Sequence, residues 1–236
     1  MKNVFNFIKF VLGVTLIIAM IYLSLDRMGQ KYCILSEVSI ELDENIFVTK
    51  EVIVDYLLEN TIHPDSVLLN DVSFKGIEEL LLSHPSIKSA IVYSDMNGKV
   101  CIQVKQRKPI VRIQSDKDSF YLDEDGLRMP LSDEYTARML LVTGDVNTIS
   151  LEDIFFITDK IYKDEFLKKQ IVQIDVKESE MLMLTRLGEQ LEFGKVMNVN
   201  EKFEKLMLYY EKGNSQNKEY KVLNLKYKNQ IVCTKK

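Results

Sequence analysis

IKSAIVYSDMNGKVCIQVK, residues 87–105, decides the first half of the fold. Ile87, Ser89, Ile91 and Tyr93 alternate with Lys88, Ala90 and Val92. Val100, Ile102 and Val104 alternate with Lys99, Cys101, Gln103 and Lys105. A period of two is that of a half-buried strand. Between the two runs, Asp95-Met96-Asn97-Gly98 supplies a turn whose Asn-Gly pair tolerates positive φ. The stretch reads as a β-hairpin.

Two helices precede it. Asp71 to Ser83 places Phe74, Ile77, Leu80, Leu81 and Leu82 on a buried face, and Pro85 ends the helix by pushing His84 off helical geometry. Thr49 caps an earlier helix through Leu58, with Val52, Ile53, Tyr56 and Leu57 at helical spacing. Asn60 to Asn70, which holds Pro64, Asp65 and Ser66, connects them, and Val38 to Leu42 is a short strand. The order β-α-α-β-β predicts a small α+β module with both helices on one sheet face.

Further upstream, Phe10 to Leu25 (FVLGVTLIIAMIYLSL) runs sixteen residues without a charge. As a helix it reaches about 24 Å, and about 31 Å with Phe5, Phe7 and Ile8 added. Lys9, near one end, can snorkel to the interface. The run predicts one transmembrane helix over residues 4–26, with Phe10, Leu12, Leu16, Ile17, Ile18, Ile21 and Leu25 facing lipid. A cleaved signal peptide would want small residues at its cleavage site, and the run ends in Met20-Ile21-Tyr22-Leu23-Ser24-Leu25. An uncleaved anchor is therefore expected. Lys2 and Lys9 on one flank, against Asp26, Arg27 and Lys31 on the other, tilt the positive-inside balance by about one charge towards a cytoplasmic N-terminus.

Downstream, Pro109 interrupts the ladder, so the chain bulges or changes sheet there, and a boundary falls between Lys105 and Ser115. Phe120-Tyr121-Leu122 and Leu127 to Leu131 are strands around an Asp123-Glu124-Asp125-Gly126 turn, and Leu140-Leu141-Val142 is another. Ser150 and Asp153 open a helix to Lys163 in the manner of a capping box. Ile171 to Val176, Met181 to Arg186 and Gln190 to Gly194 are strands. A helix over Asn200 to Lys212 ends at Gly213-Asn214. Tyr220 to Tyr227 and Gln230 to Thr234 form a last hairpin around Lys228-Asn229. The expected plan is α+β. Residues 1–31 form the tail and anchor, 33–107 the first module, and 112–236 a mostly β domain with two helices.

Beyond residue 31 the chain holds 27 basic and 34 acidic side chains, which argues against nucleic acid as a partner. Cys33, Cys101 and Cys233 lack metal-ligand spacing, and three is too odd a number for a full disulfide framework. Asp123, Glu124 and Asp125 lack the twelve-residue spacing of a calcium loop and read as a solvated turn. His63 and His84 each have a proline beside them and no ligand at the needed spacing. With no G-x-S-x-G, Walker loop or dinucleotide fingerprint either, no catalytic, cofactor or metal residue is assigned. A membrane-anchored interaction protein and an enzyme built from scattered carboxylates both remain open on the residues alone.

Four segments resemble the bacterial cell-division family FtsQ/DivIB. Leu82-Ser83-His84-Pro85-Ser86-Ile87-Lys88-Ser89-Ala90 is similar to the family's lead-in to the hairpin of its first module. Val104-Lys105-Gln106-Arg107-Lys108-Pro109-Ile110 is similar to its V-x-E-R-x-P-V exit, with Gln106 in place of Glu. Tyr121-Leu122-Asp123-Glu124-Asp125-Gly126 resembles its Val-Asp-x-x-Gly turn, and Leu141-Val142-Thr143-Gly144 its L-P-x-L-x-G segment. The order and spacing of the four carry the resemblance across nearly the whole chain. It implies that residues 33–107 are a POTRA domain. It also implies a non-enzymatic scaffold in the inner (plasma) membrane at the division septum, with its C-terminal domains in the periplasm of a Gram-negative envelope. Partners implied are FtsB and FtsL, with upstream division proteins meeting the POTRA domain. In the family the last strand receives an extended segment of FtsB, which here points to Leu225, Lys226, Tyr227, Ile231 and Val232, with Tyr227 as the aromatic anchor and outward Lys221, Lys226 and Lys228 guarding the edge. Another POTRA-bearing envelope assembly protein is the alternative; outer-membrane assembly factors of that kind carry a downstream barrel.

Overall fold

Backbone geometry follows the local signals closely. The computed structural model describes residues 2–41, 46–62, 67–95, 97–116, 118–132, 138–213 and 220–235. His63 to Ser66, Met96, Asn214 and Leu42, all used in the sequence reading, lie outside them. The chain forms two compact units, Met1–Gln106 and Arg107–Lys236.

In the first unit, α1 (Lys2–Gly29) carries the apolar run; its stretch Asn6–Arg27 is long and apolar enough to cross a membrane. Phe10, Leu12, Leu16, Ile17, Ile18, Ile21 and Leu25 are all exposed along it. Then follow β1 (Ile34–Ile40), α2 (Lys50–Glu59), α3 (Phe74–Ser83), β2 (Ile87–Ser94) and β3 (Lys99–Gln106). Thr49 caps α2, its side chain accepting from Val52 N. Asp71 does not begin α3. It closes a 3-10 turn, Leu69–Asp71, and Ser73 is the cap, accepting from Gly76 N. Strand β1 starts earlier than Val38 because Ile34 N donates to Gly98 O beside the hairpin turn. The sheet order is β1-β3-β2, with β1 parallel and β2 antiparallel to the central β3. Ile53 and Leu57 of α2, and Ile77 and Leu81 of α3, bury against Val100, Ile102 and Val104.

One feature of the hairpin differs from the alternation. A bulge between Ile87 and Ser89 switches the facing residues, so Ile87 and Val92 are buried while Ile91 and Tyr93 face solvent. His84 is the C-cap of α3, its ring edge against Tyr56 at 4.9 Å, and burial lowers its pKa. Gln106 explains its own departure from the family pattern. Its buried Oε1 accepts from Phe47 N at 3.0 Å, a task for which a carbonyl suffices.

The second unit is one nine-stranded sheet with helices on a face. Its strands are β4 (Pro109–Gln114), β5 (Ser119–Asp123), β6 (Arg128–Met129), β7 (Leu140–Gly144), β8 (Ile171–Lys177), β9 (Glu180–Thr185), β10 (Gln190–Gly194), β11 (Tyr220–Asn224) and β12 (Val232–Lys235). They lie in the order β12-β11-β10-β9-β8-β7-β4-β5-β6. Three helices join them: α4 (Leu151–Lys163), α5 (Glu165–Gln170) and α6 (Val199–Leu208), the last running into a π-turn, Tyr209–Gly213. Ser150 caps α4 through Asp153 N. Ile154, Ile157 and Ile161 of α4, Leu167 of α5, and Phe203 and Leu206 of α6 bury in one core with Val111, Ile113, Ile174, Met183, Leu191 and Phe193.

The residues from Pro109 to Gln114, read as part of the boundary, are strand β4, which sits between β5 and β7. Proline is tolerated there because it is the first strand residue, and a bulge follows it before Val111. The acidic turn also differs from the solvated reading. Glu124 and Asp125 are exposed, but Asp123 is fully buried. Its Oδ1 accepts from Asp125 N at 3.0 Å and Leu127 N at 2.7 Å, and its Oδ2 from Arg107 Nη1 at 2.8 Å. The turn motif and the Arg-x-Pro motif are therefore two halves of one buried ion pair. Gly144 needs to be glycine: its φ is +86°, and a Cβ would stand 2.3 Å from Val176 O.

Candidate partner-binding site

The C-terminal hairpin is shorter and its loop longer than the run of β-formers suggests. Strand β11 stops at Asn224 and β12 starts at Val232. Asn224 ends the strand by turning its side chain on the chain ahead, its Oδ1 accepting from Lys226 N at 3.0 Å. Lys205 of α6 then gathers the loop, donating to Leu225 O at 3.3 Å and Tyr227 O at 2.5 Å. Asn229, at φ 60°, turns the chain back towards β12. Of the five residues named from the sequence for partner capture, only Val232 lies in a strand.

Their surroundings also differ. Leu225 is fully buried and donates its N–H to Glu192 O at 3.0 Å, so it is a core anchor of the loop. Ile231 is half-buried against the same core. Lys226 bridges to Glu180 at 2.9 Å and lies 4.0 Å from Glu192. That hydrogen bond lowers the Glu180 pKa and raises that of Lys226. Lys226 therefore fastens the loop to β9 and β10 and is not an unengaged guard, although it is exposed like Lys221 and Lys228. Tyr227 is half exposed (51%) and Val232 is exposed at 44%, and they point away from the core.

Strand β12 pairs with β11 on one side, Leu223 opposite Cys233 and Asn224 opposite Val232. It ends the sheet order, so among the described residues its other side is a row of peptide groups without a ladder partner. Val232, Thr234 and Lys235 are exposed along it. Tyr209 and Tyr210 of the π-turn form a tyrosine platform with Tyr220 of β11. Tyr209 sits 5.3 Å from Tyr210 and 6.2 Å from Tyr220, and Tyr210 donates to Glu189 at 2.6 Å. Burial, then the Glu189 charge, pushes the Tyr209 pKa up to about 12, and burial also raises the Cys233 thiol. The sequence missed the platform because tyrosines at 209, 210 and 220 meet only through the π-turn. The arrangement is suited to strand addition: an edge backbone, a firm neutral floor, and an aromatic side chain standing at one end.

Comparison with known proteins bears on the whole chain. A family model described as "FtsQ/DivIB, C-terminal related" matches residues 108–234, and a POTRA-like domain model matches residues 32–105. No curated protein matches. Among solved structures, the major extracytoplasmic domain of the trans isomer of the cell-division protein DivIB from Geobacillus stearothermophilus is similar at 13% identity and a TM-score of 0.32, covering 47% of this chain and 94% of that one. The first family model spans more than half of the chain, and the POTRA-like module directly precedes it, after a single apolar helix. By that match the chain belongs to the FtsQ/DivIB family of bacterial cell-division proteins.

Proposed function

We propose that the chain is a non-enzymatic, single-pass membrane scaffold of the division machinery, and that its second unit captures an FtsB-like partner by strand addition to β12. The observation that carries this is the open edge of β12 at the end of the nine-stranded sheet, with Val232 exposed on it and Tyr227 exposed in the loop that leads into it. An incoming strand would complete the ladder, and its side chains would meet Tyr227 at the loop. Lys221 and Lys228 would favour an acidic segment and oppose self-pairing. Leu225, Lys226 and Lys205 hold the loop in place and have no direct role in contact. Linked to the same reading are FtsL as a further partner and a septal location. The N-terminus would be in the cytoplasm with both units across the membrane, and the POTRA domain would meet upstream division proteins.

Tyr227→Ala tests it. The side chain is half exposed, so unfolding should shift by no more than about 0.5 kcal/mol. Loss of the aromatic anchor should cost about 2 kcal/mol of binding, roughly 30-fold in Kd for the FtsB-like partner. Binding titrations on the full chain read this; an unchanged Kd would remove Tyr227 from the contact. Lys226→Glu is the wrong probe, because it would set three carboxylates together with Glu180 and Glu192.

A further inference from the structure

Helices α4 and α6 cover the same face of the second sheet without closing against each other. Between them runs a cleft of about 650 Å³, continued past Asn200 by one of about 400 Å³. Its floor is apolar, with Leu167, Val199 and Phe203 buried. Phe156, Met197 and Leu208 stand exposed along it, at 46%, 63% and 50%. Exposed large apolar side chains gathered in one concave place mark a contact surface. The rim is nearly of one sign. Asp153, Asp164, Glu201, Glu204 and Glu211 line it, against Lys160 alone among the cations. Asp164 is occupied as the cap of α5. Among the described residues none of the other four carboxylates is in an ion pair.

We propose that this cleft docks a basic amphipathic helix of a partner protein, at a site separate from the β12 edge. Charge complementarity selects the partner: lysines or arginines beside an apolar face would meet Glu201, Glu204 and Glu211 on one wall and Asp153 at the end of the other, while the face covers Phe156, Met197 and Leu208. The long walls are helices, whose interior backbone groups are already paired, so along them an extended peptide finds no strand edge to ladder with. A helix brings its own backbone bonds satisfied. From Asp153 to Asp164 the wall is about 16 Å long, which suits roughly three turns.

The test uses the full chain in lipid nanodiscs, with a 14-residue helical peptide bearing leucines on one face and lysines on its flanks. An otherwise identical peptide with glutamates in place of the lysines is the comparison. Methionine methyl spectra are the readout. The lysine peptide should move Met197 and Met207 and leave the buried Met183 unmoved, with affinity at least 10-fold above the glutamate peptide. Glu204→Lys with Glu211→Lys should weaken it at least 10-fold, and Leu208→Ser, at an exposed position, about 5-fold. Glu51→Lys with Glu59→Lys, the same charge change on the first unit, should leave it unaltered. Equal binding of both peptides, unmoved Met197 and Met207, or an equal loss in the Glu51/Glu59 variant would overturn the site.

Discussion

Asp123→Ala will destabilise the second unit by about 3–5 kcal/mol, the loss expected when one member of a buried pair is removed. The Asp123 carboxylate is the hub of that corner. It takes two turn amides on one oxygen and Arg107 on the other, and its side chain is 1% exposed. Alanine leaves the Arg107 guanidinium, itself only 19% exposed, without its anion, and leaves the amides of Asp125 and Leu127 without an acceptor. Because Arg107 precedes β4 and Asp123 ends β5, the damage reaches the pairing of the two strands. With a urea dependence near 1.5 kcal/mol per molar, the transition should fall by about 2–3 M. Asp123→Asn retains one acceptor oxygen and should lose roughly half as much. Urea unfolding of the detergent-solubilised chain, followed by circular dichroism, checks both; an unmoved midpoint in the alanine variant would show that the pair is dispensable.

Truncation after Asn229 should have the larger effect on function. It removes β12 and leaves β11 as the edge, one strand inward and without the geometry set by Ile231 and Val232. Capture of the FtsB-like partner should drop on the order of 100-fold or more, the sum of several ladder bonds. The unit should remain folded, since Leu223 and Leu225 stay in the core and Lys205 still holds the carbonyls of Leu225 and Tyr227. Co-purification from membranes, with circular dichroism as the control for folding, measures this. Normal capture by a folded, truncated chain would place the contact elsewhere.

Much of this architecture is legible in the residues because local signals agree with it. Thr49, Ser150 and Pro85 mark helix ends that the structure keeps. What failed is what distant neighbours decide. The bulge after Ile87 turns Ile91 and Tyr93 outward, and nothing within residues 87–94 announces it. Pro109 marked the change of sheet, with a bulge beside it, but gave no sign that Ile110, Val111 and Ile113 form an inner strand once β5 and β7 flank them. Helix α5 was missed because it is only six residues long, although Asp164 caps it twice, on Phe166 N and Leu167 N. At the site, the β-formers from Tyr220 to Tyr227 read as one strand. Lys205, twenty residues away, draws Leu225 and Tyr227 into a loop instead. Tyr227 as an exposed aromatic and the open last strand survive from that reading as the basis of the proposal. Leu225 and Lys226 turn out to be held by the protein itself.

Hydrogen exchange at the β12 amides tests strand addition most directly. On the free chain, those of Val232 to Lys235 that point away from β11 should exchange fast, while their neighbours bonded to β11 exchange slowly. Saturation with the extracytoplasmic part of the FtsB-like partner should slow the outward amides at least 100-fold. Unchanged exchange along β12 in a saturated complex, with protection appearing elsewhere, would contradict capture at this edge.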